Sequence, residues 1–308
     1  MSSGPFLSTI VAALSLLLFQ AAPPAKTPPS DMLDLQVALD RSGFSVGVID
    51  GVPGNNTRKA AAAYAAARGS AIASGGEAPL VEYTITAGDT AGPFAASIPD
   101  DMMQKAKLPG LYYASAAEAL GERFHTSPEL LKRLNPSTTF AAGETIRVPN
   151  VAVFELPPAG ADRAAAPATK PAPVTVTVSK LESRLIVKDA GGAVIFYAPV
   201  TSGSVHDPLP IGDWTVTAIV RNPTFNYNPA LFWDAEPAHS KAKIPAGPNG
   251  PVGVVWIDIN KPHYGLHGSP EPKMIGHSQS HGCVRLTNWD ALHLAGLVTK
   301  GTPVVFTR

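Results

Sequence analysis

The chain has 308 residues, 45% of them apolar, with 24 Lys plus Arg against 24 Asp plus Glu and a single cysteine. That length allows two or three domains and a buried core, and the apolar fraction excludes a disordered polymer. Zero formal charge gives no support for a nucleic-acid partner or a polybasic membrane contact. One thiol excludes an intrachain disulfide and any metal site built from several thiolates.

The chain opens with an apolar run, Ile10–Phe19. It is shorter than the roughly 20 residues that a bilayer-spanning helix needs. With Ala21 and Ala22 behind it, residues 1–22 read as a secretory signal, an uncleaved anchor being the alternative. An exported, periplasmic protein is therefore expected. Residues 23–30 are a Pro-rich spacer. In residues 31–75, Met32, Leu35 and Leu39 share one helix face, with Asp31 as N-cap and Gly43 as stop. After the turn "IDGVPGNNT", Asn56 or Thr57 caps an Ala-rich helix through Ala67. "LQVALDRSGF", Gly47–Gly51, Gly54, Thr57 and Tyr64 together resemble the small helical peptidoglycan-binding domain.

A Gly/Ser break, Ser74–Gly76, precedes residues 80–150. Tyr83–Thr90 alternates like a strand and ends in a turn. "SAAEALGERFHTSPELLKRLNP" gives two helices, the second starting at Pro128 behind Thr126 or Ser127. Glu144–Val148 reads as a returning strand. Strand, helix, helix, strand resembles a LysM module, a glycan-binding fold, split by an insertion at roughly Ala91–Tyr113. Residues 151–173 are a Pro/Ala linker, extended and semi-rigid.

From Val174 the texture changes. "VTVTVSK", "RLIVKD", "AVIFYAPV", "DWTVTAIV", "GVVWIDI" and "TPVVFTR" are β-branched runs, "DAGG" is a hairpin turn, and "WDALHLAGLV" is the one clear helix. The fold class is multidomain. A mostly β domain at 174–308, sandwich or barrel-like with one helix after the cysteine loop, follows a small α-helical module and a βααβ module. Between these strands, Arg221–Gly250 is a long Pro/Asn/aromatic loop. Its Phe225, Tyr227, Phe232 and Trp233 either line a pocket or lid or serve as packing.

The sole cysteine, Cys283, sits in "SQSHGCVRLTNWDAL". A thiol attacks carbonyls as thiolate, so it needs a base. Two histidines are candidates. His281 lies two residues before it, and His267 in "YGLHGS" lies far enough back to come from another strand. Amides near Gly282 and Cys283 are candidate oxyanion donors. Thr287 and Asp290 fit a capping box that opens the helix. Arg285 either favours the thiolate, holds a substrate carboxylate or braces the loop. His277, His281 and Cys283 have spacings that zinc ligands use, but the set is too poor in sulfur and open positions for a metal to be expected.

"HGS" at His267–Ser269 with "SHGCVRL" at Ser280–Leu286 resembles the L,D-transpeptidase catalytic domain of bacterial cell-wall enzymes. "VTSGS" at Val200–Ser204 and "PLPIGDW" at Pro208–Trp214 belong to the same likeness. The resemblance implies Cys283 as nucleophile, His267 as general base and His281 as a second motif histidine. It also implies Gly282 and Cys283 as oxyanion donors and Gly268 as the carbonyl that orients the base. Arg285, with Ser280 and Tyr264, are the candidate substrate contacts. The implied substrate is a peptidoglycan stem tetrapeptide. Its terminal D-Ala leaves, and the acyl group passes through a thioester to an amine on another stem's diaminopimelate or a lipoprotein lysine. No cofactor or metal is implied. Two other readings stand beside it: a hydrolase or L,D-carboxypeptidase with the same site, and a non-catalytic peptidoglycan-binding protein. A redox role lacks a resolving cysteine.

Overall fold

The computed structural model describes residues 1, 32–73, 77–158 and 172–308. The apolar run Ile10–Phe19, the spacer 23–30, Asp31, Ser74–Gly76 and residues 159–171 of the Pro/Ala stretch lie outside the described residues. Among the described residues, no helix is long and apolar enough to cross a membrane.

The first module is two helices, α1 (Met32–Arg41) and α2 (Asn55–Arg68). Gly43 stops α1 with a left-handed φ of +80°. A Cβ there would sit 2.9 Å from the Ile195 carbonyl, so glycine is what lets this turn meet the β domain. The cap of α2 falls at Gly54, not at Asn56 or Thr57. Those two side chains have other partners: Asn56 donates to the Ile275 carbonyl, and Thr57 accepts from the buried Gln36 amide.

The second module runs β1 (Leu80–Thr84), α3 (Ala87–Thr90), α4 (Met102–Lys105), α5 (Ala116–Arg123), α6 (Pro128–Leu134) and β2 (Thr145–Pro149). β1 and β2 pair antiparallel from Leu80↔Pro149 to Thr84↔Thr145. Tyr83–Thr90 is not one strand. Thr86 and Asp89 form a reciprocal capping box that turns the chain into α3. Ser127 caps α6, with Pro128 as its first residue. Ile85, Leu120, Phe124, Leu131 and Ile146 fill the small core.

The third domain contains β3 (Val174–Ser179), β4 (Arg184–Asp189), β5 (Val194–Pro199), β6 (Thr201–Ser202), β7 (Gly212–Arg221), β8 (Phe225–Tyr227), β9 (Ala242–Ile244), β10 (Val255–Ile259), β11 (Gly265–His267), β12 (Val284–Arg285), α7 (Asn288–Leu297) and β13 (Pro303–Thr307). Nine strands form one sheet in the order β5-β4-β3-β13-β7-β10-β11-β12-β6. The edge strands β5 and β6 are separated in the chain by Val200 alone. The sheet must therefore curl until its edges meet, and the result is a nearly closed barrel. Long β7 makes the bend: Gly212–Thr215 pairs with β13, and Val216–Arg221 with β10. Val176, Val187, Ile257, Leu266, Val284 and Phe306 fill the interior, and α7 covers it with Trp289, Ala291 and Leu294. Burial of this apolar surface is the main force holding the curled sheet shut.

The domains are joined by buried contacts. Phe44 of the first module pairs with Tyr197 of β5, and the two rings lie 6.1 Å apart. Phe154, at the start of the Pro/Ala stretch, is buried in the β-domain core, and its N–H donates to the Arg123 carbonyl.

Candidate active site

The site grows out of two neighbouring strands. β11 and β12 run parallel with Leu266 opposite Val284 and His267 opposite Arg285. Alternation along a strand puts Cys283 on the same face as Arg285, and one step back along the register sets Gly265 beside the cysteine. β10 pairs antiparallel with β11, with Trp256 opposite His267. Trp256, His267 and Arg285 therefore form a row on one face, with Cys283 at its edge. The rings of Trp256 and His267 stack at 5.4 Å and 20°.

His267 is 4% exposed, and its Nδ1 lies 2.7 Å from the Gly268 carbonyl. A carbonyl only accepts, so Nδ1 carries the proton and Nε2 keeps a free lone pair. Burial first, and the nearby Arg285 cation second, push the imidazole down to a pKa of about 3. Burial pushes the Cys283 thiol up to about 11, against the pull of the Gly265 amide and Arg285. The resting pair is thus neutral thiol and neutral imidazole. The thiol leans 3.6 Å from the His263 carbonyl, at a residue held at a left-handed φ of +68°.

Gly282 has φ +96°, and a Cβ there would lie 2.5 Å from the Tyr264 ring. Glycine is required on both counts. Ser280 braces the cysteine loop. It is 4% exposed, donates to the Cys283 carbonyl at 2.6 Å and accepts from Gly203 N–H at 2.7 Å, so the cysteine loop is tied to the end of β6. His281 lines the same cleft but is held by the long loop. Its Nε2 meets Asp234 at 2.8 Å, and Phe232 packs edge-on against its ring at 5.1 Å. His277 lines a separate small cavity beside Lys273 and Asn56, so the zinc set His277, His281 and Cys283 is not assembled. Thr287 caps α7, but the Asp290 carboxylate accepts from Ser45 Oγ of the first module instead of closing a capping box.

The Arg285 guanidinium makes no hydrogen bond or ion pair with the described residues, although burial lowers its pKa. Among the alternatives open for Arg285, loop bracing through carbonyls is therefore absent here. A half-buried cation near Glu271 and Asp234 but hydrogen-bonded to neither, beside the thiol, is suited to receive a carboxylate.

Several functional candidates escape the sequence motifs. Trp256 and Gly265 come from strand pairing. Asp234 comes from the aromatic loop. Asn288 starts α7 fully buried, donating to both oxygens of Glu122 at 3.0 and 3.1 Å and to the Pro248 carbonyl at 3.1 Å. Its own carbonyl accepts from Val254 N–H at 3.1 Å and fits against Gly268, next to the base. The alternation in "GVVWIDI" would have put Trp256 and Asp258 on one face. No local signal points to Asn288 or Glu122.

Above this face opens a cleft of about 1140 Å³. Cys283, His267, Arg285, Tyr264, Trp256 and His281 lie in its floor and sides. Phe225, Tyr227 and Phe232 from the long loop also line it, so that loop's aromatics serve both pocket and packing.

The curled β domain thus carries a lone thiol and an oriented imidazole on one face of its sheet. Residues 173–306 match the family model of the L,D-transpeptidase catalytic domain, YkuD. The chain is 26% identical over 193 residues to YkuD of Bacillus licheniformis, covering 62% of this chain and 92% of that protein. It is 30% identical over 135 residues to YbiS of Escherichia coli, covering 42% of this chain and 44% of that protein. Both relatives carry L,D-transpeptidase names. Among solved structures, L,D-transpeptidase 3 from Mycobacterium tuberculosis with a faropenem-derived adduct aligns at a TM-score of 0.37 and 17% identity, over 55% of this chain and 75% of that one. An L,D-transpeptidase from Mycobacterium smegmatis aligns at 0.37 and 16% identity, over 59% and 86%.

Proposed function

We propose that this chain is a cell-wall L,D-transpeptidase that uses Cys283 as nucleophile. The observation that carries the reading is the shared face of Cys283, His267 and unpartnered Arg285 in an open cleft. The donor is a peptidoglycan stem tetrapeptide, whose carboxylate pairs with Arg285. Cys283 Sγ attacks the carbonyl of the diamino acid before D-Ala. The proton leaves sulfur as the C–S bond forms and goes to His267 Nε2, because neither group is charged at rest. Amides at Gly282 and Cys283 receive the developing oxyanion. The C–N bond then breaks, and the imidazolium returns its proton to the leaving D-Ala amine. A thioester remains. An acceptor amine, on another stem's diaminopimelate or a lipoprotein lysine, attacks it, and His267 passes that amine's proton back to the departing sulfur. An exported location and glycan contacts by the two upstream modules fit this substrate.

The test is to incubate the full chain with a disaccharide-tetrapeptide and analyse the products. Released D-Ala with a cross-linked dimer supports the reading. Tripeptide without dimer moves it to the hydrolase. No D-Ala release from a folded protein sinks it.

A further inference from the structure

The insertion in the βααβ module does not hang free. Leu111 is fully buried among Tyr227 and Ile244 of the β8–β9 hairpin, with Met102, Met103 and Leu108 packed beside it. Leu111 N–H donates to the Ala246 carbonyl at 3.0 Å, and its own carbonyl accepts from Asn249 N–H at 3.0 Å. Asp101, which caps α4, accepts from His239 Nε2 at 2.7 Å. The other nitrogen of His239 meets the Tyr227 hydroxyl at 2.9 Å. The same loop carries Phe232 and Asp234, the two groups that hold His281. Trp233 of this loop stacks on His206 of the β domain at 4.3 Å. The long loop is thus a roof over Cys283, fastened on one side to the β domain and on the other to a different module.

We propose that the segment Pro99–Tyr113 braces this roof, and that Asp101 and His239 are positioning residues whose hydrogen bond decides what reaches the thioester. The inference rests on the transpeptidase reading above and deepens it, for it concerns the choice of acceptor. A thioester has two fates. An amine adds to its carbonyl, the C–S bond breaks, and amide and thiol result. Water adds instead, and carboxylic acid and thiol result. Water needs no shaped pocket, whereas an amine acceptor does. A seated roof limits the first and shapes the second. The upstream module is therefore part of the catalytic cleft as well as a neighbour of it.

The test uses the full chain and variants that keep the α4 cap. Asp101→Ser still caps but is too short to reach His239. Asp101→Asn caps through its one oxygen and keeps a bond to His239 in the reverse sense, its amide N–H donating to the unprotonated Nε2. His239→Ala removes the bond from the other side. Thermal melting checks that each variant folds. The first readout is the ratio of hydrolysed to cross-linked product from the tetrapeptide donor. Asp101→Ser and His239→Ala should raise it by roughly tenfold, the factor that losing one hydrogen bond to a charged group allows, while Asp101→Asn stays near wild type. The second is amide hydrogen exchange of residues 225–244, which should quicken in the same two variants only. An unchanged product ratio in folded Asp101→Ser overturns the acceptor-choice claim, and unchanged exchange overturns the brace. If wild type forms no acyl adduct, the transpeptidase reading and the ratio claim fail together, and exchange still decides the brace.

Discussion

Replacing Asn288 with alanine tests the link between modules and base. The side chain is fully buried and makes four contacts: two to Glu122, one to the Pro248 carbonyl and one from Val254 N–H. Asn288→Ala leaves the Val254 donor and the Pro248 acceptor without this partner, and Glu122 keeps only Tyr113 Oη at 2.9 Å. Each buried group left unsatisfied costs about 1–3 kcal/mol, so the two sum to ~2–6 kcal/mol. That is a large share of the 5–15 kcal/mol or so typical of a folded domain. The emptied space lies against Gly268, whose carbonyl fixes His267 Nδ1. Urea unfolding reads the stability, and D-Ala release at a temperature where the variant is folded reads the base. We expect both to fall. A stability loss under ~1 kcal/mol with unchanged D-Ala release would refute this account of Asn288.

Gly282→Ala forces an L side chain into φ +96° and into the Tyr264 ring, so thioester formation should collapse while the chain still folds, at a cost of about 1–2 kcal/mol. Melting and adduct formation measured on one sample check both halves. Alkylation of Cys283 by iodoacetamide should be slow at neutral pH and rise about tenfold per pH unit toward its pKa of about 11. A rate already flat by pH 8 would contradict the neutral resting thiol. Glu122, pushed up to about 7 by burial, is raised above its ordinary 4.5. Its neutral form thus supports folding below pH 4.5, and that support is lost as pH rises through 7. Glu122→Gln should therefore gain in melting temperature over wild type more at pH 8 than at pH 4.5. An equal difference at both pH values would rule out a neutral Glu122.

The strands of the β domain were legible because β-branched runs and Gly turns are local signals, and "SHGCVRL" with "HGS" marked the residues around the thiol. The choice between His267 and His281 was not local. It depends on which strand lies beside Cys283 and on the Asp234 carboxylate that engages His281 Nε2. The bracing role of Ser280 was hidden for the same reason: a serine in a motif does not reveal that its hydroxyl bonds Gly203 N–H and the Cys283 carbonyl. The cap of α2 moved to Gly54 because the first module docks on the β domain, where Asn56 finds the Ile275 carbonyl. The insertion at Ala91–Tyr113 was visible as a break in pattern, but its role belongs to packing between segments more than 100 residues apart, which no window of sequence contains.

The most direct test of the central claim is intact mass spectrometry of the full chain mixed with a disaccharide-tetrapeptide. The account predicts a transient adduct equal to the donor less D-Ala, mapped to Cys283 and absent from Cys283→Ala. D-Ala release at the wild-type rate from folded Cys283→Ala, or an adduct on any other residue, would contradict it.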